Sequence, residues 1–315
     1  MNEGMQMTFD FAACAEGEKE TKNPLKNKID FAALLSVTMA NPNGDPLDGN
    51  RPRVDLDGYG EISDVCIKRK LRNRMQDLEK AVFVQSADHR GYDLCDSLKT
   101  RADKLFKTLG EQKTEKDVCA KAACKKWLDV RSFGQVFSFR KGGKGKSERE
   151  SDDSVSNPVR GPVSIHQAVS LSPVDVRSIQ ITKSVNGEPS EGRSSDTMGS
   201  KHFVQYGLYL LKGSINVQLA KNTGFSAEDA ETLKECLRTL FVNDASAARP
   251  EGSMEVYKLY WWEHNCASGQ YSSAKVHRSL RVAPKDGVRQ PSCADDYVIT
   301  LESLPNLEPE IIDGV

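Results

Sequence analysis

The sequence predicts an α+β fold, with helices covering an antiparallel sheet in the chain order of the ferredoxin-like βαββαβ motif. Three observations predict it. Residues 29–39 alternate with the period of a strand, two segments carry apolar stripes at helical spacing, and further strand-like runs lie between and after those helices.

The first strand rests on Ile29, Phe31, Ala33, Leu35, Val37 and Met39, whose alternation implies one well-buried face. A turn-rich stretch, NPNGDPLDGNRPRVD, follows from Asn41. The first helix then starts at Ser63 or Asp64, either of which can cap it, and buries Ile67, Leu71, Met75 and Leu78. Five cations fall between Lys68 and Arg74 with no acid among them. Helical geometry sets Lys68 and Arg72 on one flank and Lys70 and Arg74 on the other, with Arg69 pointing away from the core. Residues 85–130 read as helical and Lys-rich. Strand character returns at Val130–Phe139, broken by Gly134, and a charged flexible loop covers 141–157. Strands are expected at Val163–Leu171, Val174–Lys183, Phe203–Leu211 and Ile215–Leu219, with a long polar excursion over 184–202. The second helix starts at Ser226 and buries Ala230, Leu233, Leu237, Leu240 and Phe241. Val256–Trp262 and Tyr297–Leu301 are the last two strands. One domain over 29–305 thus lies between a disordered acidic arm (1–28) and an acidic tail (306–315), with insertions at 85–130, 141–157 and 184–202.

The chain has 315 residues, 38% hydrophobic and 28% charged, the balance of a soluble globular protein. It has no apolar run long enough for a membrane span and no signal-peptide pattern. The eight cysteines form no CxxC pair and read as reduced, buried thiols, which together point to the cytoplasm. The net charge of −1 conceals an uneven distribution. Residues 1–24 hold five acids against Lys19 and Lys22, and residues 295–315 hold six acids and no base, which leaves +8 on the body. A local basic surface, not the whole-chain sum, governs polyanion binding.

Catalytic and metal motifs fail on inspection. Read as a calcium loop from Asn41, the turn-rich stretch puts Pro46 where Gly is required and Pro52 where Glu is required. Gly142–Ser147 lacks Walker spacing, and the five histidines show no HExxH pattern. No cofactor or metal is expected. What remains is a sheet protein with basic, Gly- and Asn-rich edges. Arg51 and Arg53 lie in the first loop, the basic helix follows it, and Lys183, Arg193 and Lys201 surround Met198 in the excursion. These are groups that hold phosphates without reading bases. A solvated helix face and a Met198 packed under its own loop are the plain alternatives; an apolar tip wedging between bases is the functional one.

Six segments, in order over about residues 27–262, together resemble one family: NPNGDPLDGNRPR, DVCIKRKLRN, DVRSFGQV, RGPVSIHQAVSLSPV, DTMGSKHFVQYGLY and NDASAAR. It is the backbone subunit of the subtype I-C Cascade surveillance complex of CRISPR systems (the Cas-seven family, Csd-two type). The resemblance implies an RRM-like palm with a helical finger insertion (85–130) and a thumb β-hairpin (184–202). Copies of such subunits polymerise along one CRISPR RNA, displace nucleotides at intervals with the thumb, and present the guide to a target DNA strand. Carried onto this chain, the RNA-binding set is Asn43, Arg51 and Arg53 in the first loop, then Lys68, Arg69 and Arg72 on the helix. Gly134, Gln135 and Arg160 join it, as do Arg193, Met198, Lys201 and His202 on or beside the thumb. Implied partners are further copies of the chain, a Cas-five-type RNA-processing subunit and a large Cas-eight-type subunit. The charged loop at 141–157 is longer than the family pattern leads one to expect, and the acidic arm precedes it. The resemblance implies a non-catalytic role; the rival is a metal-dependent endoribonuclease of the same superfamily using Asp45, with Asp48 nearby.

Overall fold

The computed structural model describes residues 23–110 (except 88, 90–92 and 94), 116–137, 157–182 and 198–315. Most of the acidic arm, the 141–157 loop except its last residue, and residues 183–197, including Lys183 and Arg193, lie outside the described residues.

The first strand, β1 (Ile29–Ala40), is the middle of the main sheet, antiparallel to a long later strand on one side and to another on the other. Central position explains a departure from the expected single buried face: both faces are buried. Ile29, Phe31, Ala33, Leu35 and Val37 enter the core beneath the helices, whereas Ala32 and Leu34 enter a second core on the opposite face. Met39 does not continue the alternation. Its φ of 52° puts a left-handed kink in the strand, Met39 turns outward, and Ala40 takes the inward place.

The loop after β1 carries a two-residue hairpin, β2 (Gly44–Asp45) and β3 (Arg51–Pro52), then an edge strand, β4 (Tyr59–Ile62). Helix α1 (Asp64–Asp77) begins as its sequence indicates: the Ser63 hydroxyl accepts from the Cys66 N–H, and Ile67, Leu71 and Met75 are buried. Helices α2 (Leu98–Lys107) and α3 (Lys116–Lys126) follow and form a satellite core with Phe83, Trp127, Val130 and Phe137.

Residues 130–133 correct the expected strand, since α4 (Leu128–Phe133) is helical and only β5 (Gly134–Phe137) is extended. On a strand, residues 128 and 130 would face the same way. Here Leu128 joins the main core and Val130 the satellite core, a divergence that a helical turn supplies. Strand β5 pairs with β6 (Asn157–Arg160).

Strands β7 (Val163–Ile165), β8 (Ala168–Pro173) and β9 (Val176–Thr182) all pair with β10 (Met198–Ile215), whose 18 residues span the sheet and project beyond it. The expected strand at Ile215–Leu219 is instead α5 (Val217–Thr223). Asn216 stops the strand by accepting from the Leu219 N–H, and Gly224, at φ 75°, ends the helix. Helix α6 (Ala227–Arg238) opens on a capping box between Ser226 and Asp229 and buries Ala230, Leu233 and Leu237.

Strand β11 (Met254–Glu263) forms where expected, as does β13 (Tyr297–Leu301), whereas α7 (Ser273–Ser279), β12 (Leu280–Pro284) and β14 (Glu310–Asp313) carry weak sequence signals. The acidic tail is therefore not free. Strand β14 extends the sheet beside β11, and Glu310 and Asp313 pair with Lys234 and Lys258.

The sheet runs β14-β11-β1-β10-β8-β4 and is antiparallel, with α1 and α6 on one face. Its other face is filled as well. Leu208, Tyr260 and Trp262 pack under Val276, Leu280, Tyr297, Leu304 and Leu307 of the C-terminal layer. Each such side chain contributes roughly 1.5–3 kcal/mol by leaving water. Gly213 sits opposite Phe31 in the ladder, where any side chain would strike the Phe31 ring, itself stacked on Trp261 at 5.6 Å.

A buried ion cluster fastens this layer to β1. Asp30 accepts from Lys28 Nζ at 3.0 Å and from His264 Nε2 at 2.9 Å, while His264 Nδ1 accepts from the Gln270 N–H. Burial pushes the Asp30 carboxyl up, but the hydrogen bonds from His264, Ser273 and Lys28, with the Lys28 charge, outweigh it and hold it below the usual range. A carboxylate depressed in the folded state stabilises above its unfolded pKa, about 3.9, and loses that contribution as pH falls through the folded value. The urea midpoint is therefore expected to fall below about pH 4, and Asp30→Asn to flatten that acid limb. Identical acid limbs in the two proteins would remove Asp30 from the account.

Candidate nucleic-acid interface

The first loop is held in shape by its own polar side chains. Asn41 donates to the Asn50 carbonyl at 2.7 Å, and the Asp45 carboxylate accepts from the Leu47 N–H at 3.0 Å and from Arg53 at 3.4 Å. Gly49 and Asn50, at φ 55° and 62°, make the left-handed turn between β2 and β3. Asn43 fastens the loop to α1 by accepting from the Ser63 N–H at 2.9 Å. These bonds leave Arg51 and Arg53 half-buried at the loop surface.

The loop and the β9–β10 hairpin meet at Ser178, a residue with no sequence signal of its own. Arg51 Nη1 donates to the Ser178 hydroxyl at 2.8 Å, and Ser178 exchanges a second hydrogen bond with His202 Nδ1, also at 2.8 Å. Strand alternation puts Met198 and His202 on one side of the hairpin and Lys201 on the other, opposite Ile179. Met198 is 64% exposed, and Ile179 and Ile181 are about half exposed. Lys201 makes no ion pair among the described residues.

The basic helix is different from its sequence reading. Lys68 pairs with Asp64 at 2.8 Å, Arg72 with the fully buried Asp129 at 2.9 Å, and Arg74 with Asp77 at 2.8 Å. Lys70 is buried against Asp244, which also accepts from Arg249 at 3.1 Å. Burial pulls the Lys70 pKa down, and the Asp244 charge opposes it. Arg69 does not point away from the body; it donates to the Val84 carbonyl at 2.8 Å. Side chains as long as these reach laterally, so a cation on the outer arc of a helix still finds an internal acceptor.

Gly134, Gln135 and Arg160 come together in the β5–β6 ladder, where Gly134 faces Arg160 and Gln135 faces Val159. Gly134, at φ 79°, has no room for a side chain because a Cβ would meet the Val159 carbonyl and, at 2.7 Å, the Gly161 nitrogen. Arg160 is exposed. Arg193 lies outside the described residues. The structure thus joins Arg51 to His202 through Ser178, sets Asn43 and Arg53 in the same loop, and turns Lys68, Arg69 and Arg72 toward partners within the chain. Among the described residues no group of three or more His, Cys, Asp or Glu is arranged to hold a metal.

Cations and hydrogen-bonding loops carried on a sheet and its projecting hairpin define a class, a sheet protein whose candidate site is an open surface. The chain belongs to the CRISPR-associated protein Cas7 family, whose model matches residues 27–302. A CRISPR-associated protein Cas7 of Haloferax volcanii is 26% identical over 294 residues, covering 90% of this chain and 83% of the relative. Among solved structures, a chain of a CRISPR RNA-guided surveillance complex, pre-nicking, is 18% identical with a TM-score of 0.44, covering 75% of this chain and 78% of that one. A chain of another CRISPR RNA-guided surveillance complex is 17% identical with a TM-score of 0.39, covering 75% and 68%.

Proposed function

We propose that the chain is a non-catalytic backbone subunit of a subtype I-C Cascade surveillance complex, one that binds CRISPR RNA and polymerises along it. Family membership over residues 27–302 supports this. The observation that carries the surface assignment is the Arg51–Ser178–His202 connection, because it makes the first loop and the β9–β10 hairpin one continuous surface. In this reading the sheet, whose core elements run β1-α1-β8-β10-α6-β11, is the RRM-like palm. Helices α2 and α3 belong to the finger, and the hairpin is the thumb with Met198 on its exposed side. An RRM stacks bases on its open sheet face. Here that face is occupied by the C-terminal layer. The RNA therefore runs along the loop and hairpin, gripped at its phosphates by Arg51, Arg53, Lys201 and Arg160. Asn43 shapes the surface through its side chain and Gly134 and Gln135 through the backbone, while Arg69 and Arg72 act from beneath by holding α1 to the insertion.

Further copies of the chain, the Cas-five-type and Cas-eight-type subunits and a target DNA strand paired to the guide complete the cytoplasmic assembly. The nuclease alternative needs Asp45 as a metal ligand; the Leu47 N–H and Arg53 engage its Oδ1 only. Protein purified from cells with an active CRISPR locus is expected to carry RNA of one guide length. Absence of nucleic acid at low salt would overturn the reading. Mg²⁺-dependent cutting of complementary RNA, abolished by Asp45→Ala with Asp48→Ala, would establish the nuclease instead.

A further inference from the structure

We propose that a groove between the C-terminal layer and the β7–β8 turn binds a second phosphodiester strand, separate from the guide RNA. Two cavities of about 540 and 530 Å³ share Lys212 as a common wall. The first is lined by Lys275, Arg278 and Arg281 as well as Lys212, and the second extends from there past His166 and Gln167 to the start of α1. None of the loop and hairpin residues Asn43, Arg51, Arg53, Met198 and His202 lines either cavity.

The charge state of these cations sets the groove apart. The four lysine and arginine side chains of α1 that form ion pairs have their acids within this chain. Lys212, Lys275 and Arg278 have no carboxylate partner among the described residues, and Arg281 meets Glu302 only at 3.6 Å with both groups exposed. Lys275 lies over the Tyr271 ring at 4.4 Å, which fixes its direction without neutralising it. The one acid in the second cavity, Asp64, is already paired with Lys68.

Donor and acceptor balance then selects the ligand. Ammonium and guanidinium groups only donate. A phosphodiester chain offers acceptors at every repeat and no backbone donor, which matches such a wall. A peptide brings as many N–H donors as carbonyls, whereas four cations here face two acids, Glu302 beside Arg281 and Asp64 beside Lys68. His166 is exposed, its ring 6.1 Å from that of His277 and at 83° to it, and an exposed imidazole can stack with a base.

The test uses the full chain as purified with its RNA, titrated with a short labelled oligothymidylate that cannot pair with the guide. Combining Lys212→Ala, Lys275→Ala and Arg278→Ala is expected to reduce the slope of log affinity against log salt by about 2, from roughly 0.7 per lost contact. The RNA content should stay unchanged, and Arg278→Lys alone should retain the slope. Unchanged oligonucleotide binding in the triple variant would overturn the proposal, as would loss of the guide RNA, which would make the groove part of the guide seat. Tighter binding of labelled polyglutamate than of oligothymidylate would assign the groove to an acidic protein and also overturn it. A wild-type preparation without RNA would count against the guide-binding reading, and the slope measured on the bare chain would still decide this one.

Discussion

Replacing Asp129 by alanine is expected to cost about 3–5 kcal/mol of stability, the range for breaking a buried ion pair by removing one partner. The carboxylate is fully buried and accepts from the Phe83 N–H at 2.7 Å, the Val84 N–H at 3.1 Å and Arg72 Nε at 2.9 Å. Alanine leaves two amides and a guanidinium without acceptors, and no nearby acid replaces it. Asp129→Asn keeps one acceptor oxygen and should fall between, at about 1–3 kcal/mol. Asp48→Ala is a suitable control. Its pair with Arg51 is long and its side chain 73% exposed, so it should change stability by less than about 1 kcal/mol. Urea midpoints measure all three. A wild-type midpoint in Asp129→Ala would show that the insertion is not held to α1 through this carboxylate. The effect should be local as well as global, because Asp129 ties the segment at 83–84 to α4 and so positions Gly134 and β5.

Arg51→Ala combined with Arg53→Ala is expected to release RNA and to lower the salt slope of binding by about 1.4, two contacts at roughly 0.7 each for a single strand. Both side chains are more than one-third exposed, and their ion pairs with Asp48 and Asp45 are long. Their loss should therefore change the urea midpoint by less than about 1 kcal/mol. That separation of binding from stability distinguishes the loop from the helix. Arg72→Ala should lower the midpoint first and affect RNA only as a consequence, since it strips Asp129 of its counter-charge. A double loop variant with an unchanged slope would mean that this surface does not face phosphate.

Local patterns in the sequence carried much of the architecture. The alternation from Ile29, the Ser63 cap and the helix start at Ser226 each depend on residues a few positions apart, and each forms the element it implies. The two misassigned segments failed for different reasons. Val130 and its neighbours have strand composition, yet Leu128 and Val130 belong to different cores, and only a helical turn serves both. Ile215–Leu219 is equally apolar, but a single side chain, Asn216, caps the helix that replaces the expected strand.

The candidate surface divides along the same line. By itself the sequence determined the central strand, the two covering helices, the Asn- and Gly-rich loop beside a basic segment, and the ordered segments that mark the family. Lys68 and Arg74 meet acids within one helical turn, but which of the other cations remain available was decided only by tertiary structure. Arg72 meets its acid 57 positions away and Lys70 meets Asp244 174 positions away. Arg51 finds Ser178 127 positions away. Charge along a chain counts the cations, but whether one is neutralised depends on the distance through space to an acid and on the water between them. Folding sets both.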